Sequence, residues 1–285
     1  MSRDVYAEVT DKLVAAIEAN PGDPTMPWHR GGANAVPRNA LTEQEYQGVN
    51  ILNLWVVGQV AGFTSNFWGT YKQWQALGAQ VRKGEKSTPV VFYKQVVKRS
   101  EGGEDEDSET IRILKYSTTF NADQVDGWQP PTAVAVAPPL ERLEVVDAII
   151  AGTGARIIER GASAYYHTGT DTVHMPDPER FFDTRSGSRT ENFYAVLLHE
   201  LTHWTGHPSR CARDMRNRFG SEAYAMEELV AELGAAFLCA RLGISPTPRE
   251  DHAQYLANWL KVLKSDKKAV FTAAAKAQAA VDYIL

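Results

Sequence analysis

Residues 192–207 read Asn192-Phe193-Tyr194-Ala195-Val196-Leu197-Leu198-His199-Glu200-Leu201-Thr202-His203-Trp204-Thr205-Gly206-His207, and the placing of polar residues in this apolar stretch decides how the second half of the chain is read. His199 and His203 are four apart, so on a helix their imidazoles leave the same face one turn apart. Two nitrogens held that way suit a tetrahedral zinc ion. Glu200 is displaced around the helix but reaches the open coordination position, where it would take a proton from water as general base. Ala195, Val196, Leu197 and Leu198 make the helix strongly apolar. Polar side chains on a buried helix need a partner, because burying them alone is costly. The bland alternative is a helix with two core or surface histidines, and a short His-Glu-x-x-His match can arise by chance.

A third ligand tips the balance. Downstream lies Tyr224-Ala225-Met226-Glu227-Glu228-Leu229-Val230-Ala231-Glu232-Leu233-Gly234-Ala235-Ala236-Phe237. Glu228 and Glu232 are again i and i+4, two acids on one face of an otherwise apolar helix, which is costly unless they are paired or bound to metal. A glutamate followed four residues later by an acid resembles the arrangement of glutamate-type zincins, in which the second acid orients a ligating histidine. Glu228 is therefore taken as metal ligand and Glu232 as its supporting carboxylate; spacing alone leaves the reverse order open. Glu227 points elsewhere on the helix and is expected in solvent. His207 follows Gly206 and precedes Pro208, so the helix has ended before it, and a metzincin's third histidine would fall at position 209, which is Ser209. Tyr224, one turn before Glu228, is a candidate donor to a developing oxyanion, with a packed aromatic as the ordinary alternative.

The bulk numbers set the frame. A chain of 285 residues, 44% hydrophobic and 23% charged, is long enough for one large or two ordinary domains. Two cysteines, Cys211 and Cys239, exclude a disulfide framework or a cysteine-built metal knuckle. The amino terminus lacks the apolar core of a signal peptide and no apolar run reaches membrane-spanning length. The expectation is a soluble cytoplasmic protein without a membrane partner. A net charge of −5 makes any nucleic-acid signal local rather than global.

The proline-paired, uncharged stretch at 129–139 reads as an extended linker and divides the chain into residues 1–129, a linker at 130–139, and residues 140–285. The first part is expected to be α+β, with helices over 5–19, 47–61 and 70–77, a strand at 88–97, a solvated acidic loop at 101–109 and a partner strand at 110–120. The second opens with a helix at 140–151 and short strands at 156–159, 164–167 and 172–175; from residue 190 onward it is helical. The last of those strands is expected to offer an edge along which a peptide could lie.

Between Asn66 and Arg99 there are seven basic residues (Lys72, Arg82, Lys83, Lys86, Lys94, Lys98 and Arg99) and one acid, Glu85. Phe67, Trp68, Tyr71, Trp74, Phe92 and Tyr93 interleave with them. Aromatic faces for bases beside cations for phosphates are what single-stranded nucleic acid binding uses. Core aromatics beneath a lysine-decorated strand pair are the ordinary reading of the same composition.

Met26-Pro27-Trp28, Gly48-Val49-Asn50, Trp68-Gly69-Thr70-Tyr71-Lys72-Gln73, Val81-Arg82-Lys83-Gly84-Glu85-Lys86 and Phe120-Asn121-Ala122-Asp123-Gln124, together with the two segments around His199 and Glu228, resemble plasmid-encoded antirestriction proteins of the ArdC type. The resemblance covers essentially the whole chain. It implies a two-domain α+β protein. An α+β single-stranded-DNA-binding domain (1–129) would precede a mostly helical zincin-like metallopeptidase domain with a small sheet (140–285). The family's role, protecting incoming conjugative plasmid DNA from host restriction, would follow, with single-stranded DNA as partner and a host restriction protein as candidate peptide substrate. The expected nucleic-acid contacts are Asn50, Trp68, Tyr71, Lys72, Trp74, Arg82, Lys83 and Lys86. The expected metal is one divalent ion, zinc first, with manganese and cobalt as alternatives. It would be held by His199, His203 and Glu228, with Glu200 and Tyr224 catalytic and Glu232 behind the ligands. The rival reading is a non-enzymatic DNA-binding protein whose metal site is structural.

Overall fold

The computed structural model describes residues 4–19, 36–98, 109–130, 139–184, 187–215, 221–244 and 252–285. Met26-Pro27-Trp28, Arg99, most of the acidic loop and most of the proline-rich linker lie outside the described residues, as do the side chains of Tyr93, Lys94 and Lys98. In chain order the elements are α1 (Val5–Glu18), β1 (Arg38–Asn39), α2 (Val49–Ala61), β2 (Phe67–Gly69), α3 (Tyr71–Ala76), β3 (Gln80–Val81), β4 (Thr88–Lys98), β5 (Glu109–Asn121), β6 (Val125–Asp126), α4 (Pro139–Gly152), β7 (Arg156–Glu159), β8 (Tyr165–His167), β9 (Thr172–Met175), α5 (Arg189–Trp204), α6 (Glu222–Leu242), α7 (His252–Ser265) and α8 (Ala269–Ile284). Among the described residues no helix is long and apolar enough to cross a membrane.

The first half is built on a four-stranded sheet in the order β1-β2-β5-β4, with β1 parallel to β2 and the other pairs antiparallel. β4 and β5 run together from Thr88 opposite Thr119 to Lys98 opposite Glu109. An edge strand leaves a row of backbone groups unpaired, and α2 covers part of that of β4 with asparagines. Asn50 Nδ2 donates to the Val91 carbonyl and Asn50 Oδ1 accepts from the Val91 N–H, both at 2.8 Å. Asn53 Nδ2 donates to the Pro89 carbonyl at 2.7 Å.

Two expected nucleic-acid contacts, Trp68 and Trp74, are corrected by this packing, and a third, Asn50, is half-buried and already engaged. Asn50 spends both ends of its amide on β4. Trp74 is 0% exposed, its indole N–H donating to the Phe120 carbonyl at 3.1 Å and its ring packed edge-on against Trp128. Trp68 is 2% exposed and sits with Leu54 and Val90 in a small core of its own. A buried ring has no face left for a base. The aromatic component of the basic stretch is, at these two positions, core.

In the second half a three-stranded sheet has the order β7-β9-β8, β7 parallel and β8 antiparallel to β9. β9 is thus central, and the expectation that residues 172–175 form an open edge is corrected: both of its sides are hydrogen-bonded, and the edges belong to β7 and β8. α5 packs across β8 and β9. A capping box starts it, with the Glu191 N–H donating to Ser188 Oγ and the Ser188 N–H donating to Glu191 Oε2 at 2.9 Å. α6 starts at the Ser221 cap and ends at Gly243, whose φ of 67° is the left-handed conformation helix ends favour.

The two halves share a core. Val5, Val9 and Leu13 of α1 and Ile51 and Leu52 of α2 belong to the same buried cluster as Leu198 and Leu201 of α5, Leu229, Leu233 and Phe237 of α6, and Ala273, Ala277 and Val281 of α8. Polar ties cross the same boundary: Glu45 pairs with Arg241 at 3.1 Å and Gln278 accepts from the Gly48 N–H at 3.2 Å. α6, which carries the candidate ligand Glu228, is therefore braced from both halves.

Candidate metal centre

α5 and α6 bring the polar residues of the two motifs together. The helices approach closely because Gly234 faces Thr202: a Cβ at position 234 would lie 2.5 Å from Thr202 Cγ2. That contact fixes how far Glu228 stands from the histidines. His199 Nε2 lies 3.6 Å from Glu228 Oε2, and His203 Nε2 lies 3.5 Å from Glu228 Oε1. One ligand atom from each of His199, His203 and Glu228 lies within 4.8 Å of the others. The three residues are almost wholly buried, at 4%, 8% and 9% exposure.

The chemistry of this group calls for a cation. Among the described residues both ring nitrogens of His199 are buried without a hydrogen-bond partner, an expensive state for polar atoms unless something coordinates them. Burial disfavours charge on His203, yet the carboxylates of Glu228 and Glu227 outweigh it and push the imidazole up to about 10. Burial would likewise raise Glu228, but the neighbouring His203 and His199 hold it well below the usual carboxylate range. The surroundings thus favour positive charge between α5 and α6. Two imidazole nitrogens and a carboxylate oxygen are a donor set that suits a divalent metal.

The remaining expected residues fall around this cluster. Glu232 Oε2 lies 3.7 Å from His199 Nδ1, on the side of the ring away from Glu228. Glu200 is buried on α5 beside His199. Tyr224 is half-buried in the first turn of α6, one turn before Glu228. His207 lies past the end of α5 and its Nδ1 faces Ser209 Oγ at 2.8 Å. Glu227 is a correction. Its side chain is only 10% exposed, its Oε1 lies 3.2 Å from His203 Nδ1, and Arg213 grips it from the other side. Spacing hid this because Arg213 comes from the irregular segment after α5, whose path no periodicity reveals.

Comparison with known proteins agrees with the geometry. The family model for zincin-like metallopeptidases matches residues 144–276, and the model for the N-terminal domain of anti-restriction factor ArdC matches residues 3–120. The crystal structure of the antirestriction ArdC protein from plasmid R388 in its metal-free form superposes with a TM-score of 0.79 at 37% identity, covering 99% of this chain and 97% of that one. The chain belongs to the ArdC family of antirestriction proteins. The Mn(II)-bound structure of the R388 protein gives a TM-score of 0.78. A Sinorhizobium fredii protein, y4eC, is 45% identical over 99% of this chain and 91% of its own length. An Escherichia coli DNA primase, TraC, is 34% identical, but this chain spans only 27% of its length. This chain thus joins an ArdC-type amino-terminal domain to a zincin-like domain, and the latter has a site for a divalent metal.

The other expected DNA contacts of this ArdC-family chain lie at the surface. Tyr71 is 42% exposed, with its hydroxyl accepting from Gln80 Nε2 at 3.2 Å. Lys72, Lys83 and Lys86 are exposed. Arg82 is also exposed but already engaged, with Glu85 at 3.0 Å and Asp126 at 3.4 Å. Lys115, which composition did not single out, is exposed directly across the ladder from the half-exposed Phe92. Alternation along β5 was the signal that could have found it.

Proposed function

We propose that this protein is an antirestriction factor that grips single-stranded DNA through its first half and hydrolyses peptide bonds at a zinc centre held by His199, His203 and Glu228. The observation that carries the enzymatic part is the convergence of one buried ligand atom from each of His199, His203 and Glu228 within 4.8 Å, with neither ring nitrogen of His199 hydrogen-bonded among the described residues. A divalent ion held there supplies Lewis acidity, polarising a carbonyl and making water a better nucleophile at neutral pH.

The chain's own residues do the rest. Glu200, beside His199 on α5, takes the proton from the attacking water and passes it to the leaving amine. Tyr224 donates to the oxygen on which charge develops. Glu232 keeps the His199 ring turned so that Nε2 faces inward. An extended peptide would lie along the outer edge of β8, since β9 is closed on both sides. A restriction protein of the host is the substrate class that fits the family's role.

For DNA, support comes from the exposed Tyr71, Lys72, Lys83 and Lys86, an aromatic face among cations. Kinship with part of a DNA primase fits a first half that handles DNA. The near-complete burial of the ligands also suits a second reading, in which the metal is structural and the DNA coat alone blocks restriction. Glu200→Ala separates them. On the enzymatic reading it lowers peptide hydrolysis by at least about a hundredfold, leaves metal content intact and abolishes protection in a cellular restriction assay. Full protection by the variant assigns the biology to DNA binding alone.

A further inference from the structure

The buried ion pair beside the metal ligands is the feature that the zinc-and-base account leaves unused. Glu227 and Glu228 are consecutive on α6, so they leave the helix about 100° apart, and His203 lies between them. Its Nε2 faces Glu228 at 3.5 Å and its Nδ1 faces Glu227 at 3.2 Å. Glu227 is in turn held by a fork. Arg213 Nε donates to both carboxylate oxygens, at 3.2 and 3.0 Å, and Nη2 donates to Oε1 at 2.9 Å. The same guanidinium donates to Thr205 Oγ1 at 2.8 Å and to the Thr202 carbonyl at 2.6 Å. It therefore ties the end of α5, which carries His203, to the residue of α6 that orients it.

The chain accommodates this at some cost. The Arg213 side chain is 3% exposed, and a buried guanidinium is tolerated only when paired. Ala212, just before it, has a φ of 49°, a left-handed conformation that a residue with a Cβ rarely adopts. Gly206 leaves the room: a Cβ there would lie 3.1 Å from Arg213 Nη2 and 2.5 Å from Met215 Sδ.

We propose that Glu227, held by Arg213, is a positioning residue that fixes the ring and tautomer of His203 and so sets the affinity of the centre for its metal. A carboxylate on Nδ1 keeps the proton there and leaves Nε2 as the free donor, and it makes that nitrogen more basic. His199 has Glu232 in the equivalent place, so each histidine is backed by its own carboxylate. Arg213 holds Glu227 against swinging toward the metal position, where it would compete with Glu228.

The inference rests on the metal-centre reading, so the test begins with the wild-type chain. Zn(II) affinity is measured by competition with a chromophoric chelator, and thermal midpoints are recorded with excess chelator and with excess Zn(II), for wild type, Glu227→Ala, Glu227→Gln and Arg213→Ala. Glu227→Ala is expected to weaken Zn(II) binding by about 10- to 100-fold and to shrink the metal-induced rise in midpoint accordingly. Glu227→Gln, which still accepts from Nδ1–H, recovers most of the loss, and Arg213→Ala falls on the same side as Glu227→Ala. If Glu227→Ala lowers the metal-free midpoint while its Zn(II) affinity stays within about twofold of wild type, the ion pair is merely structural and the proposal is overturned. A wild-type chain that binds no Zn(II) overturns the metal-centre reading and this one with it.

Discussion

The metal centre and the basic surface of the first half both gather charge, but they stand on opposite sides of the solvent boundary. Around His199 and His203 three glutamates (Glu227, Glu228 and Glu232) and Arg213 are drawn into the protein with their polar atoms directed at the rings or at one another. Each such group is costly unless partnered, so the two His199 ring nitrogens, facing carboxylates yet without a hydrogen bond among the described residues, point to a ligand. Lys72, Lys83 and Lys86 stand in water, where a lone cation costs nothing and implies little by itself. The lesson is that the interior site states its chemistry through what it lacks, whereas the surface must be read through salt dependence.

That contrast can be broken at several points. The largest effect on stability is expected at Trp74. As a wholly buried indole, its replacement by alanine should cost about 3–5 kcal/mol, seen as a lower denaturant midpoint. A well-folded Trp74→Ala protein that instead loses only DNA affinity would return this residue to the binding surface. Next comes Gly234→Ala, which would push a methyl into Thr202. Overpacking of this kind costs about 1–3 kcal/mol, and because α5 and α6 carry the ligands, metal affinity should fall along with the unfolding midpoint. An unchanged metal affinity would mean that the spacing of the two helices does not govern the site. The smallest effect should come from the lysines. Replacing Lys72, Lys83 and Lys86 by alanine should leave the fold intact and weaken single-stranded oligonucleotide binding. The log–log salt dependence measured by fluorescence anisotropy should become shallower by about 0.7 for each phosphate that is no longer neutralised. Unaltered slope and affinity would remove these lysines from the DNA surface.

The two regions also differ in how far the sequence alone reveals them. His199, His203, Glu228 and Glu232 are legible because helical spacing is rigid: four residues return a side chain to the same face, whatever packs on it. The long strands β4 and β5 and the short β7 and β9 are likewise visible in their β-branched residues. The two- and three-residue strands β1, β2, β3 and β6 are not, since pairings so short are set by neighbours far along the chain. The same holds for burial. Aromatic and basic residues alternate in residues 66–99 whether the rings face in or out, and only the docking of α2 and α3 on the sheet turns Trp68 and Trp74 inward. Glu227 is the counterpart on the other side, an acid beside a ligand whose partner, Arg213, arrives through a turn with a left-handed residue that no periodicity signals.

The claim on which the rest depends is that His199, His203 and Glu228 form one divalent-metal site. Calorimetric titration of the chelator-treated chain with Zn(II), for wild type and His203→Ala side by side, tests it most directly. The account predicts one tight site per chain in the wild type and its loss in the variant. Equal stoichiometry and affinity in the two proteins would contradict it.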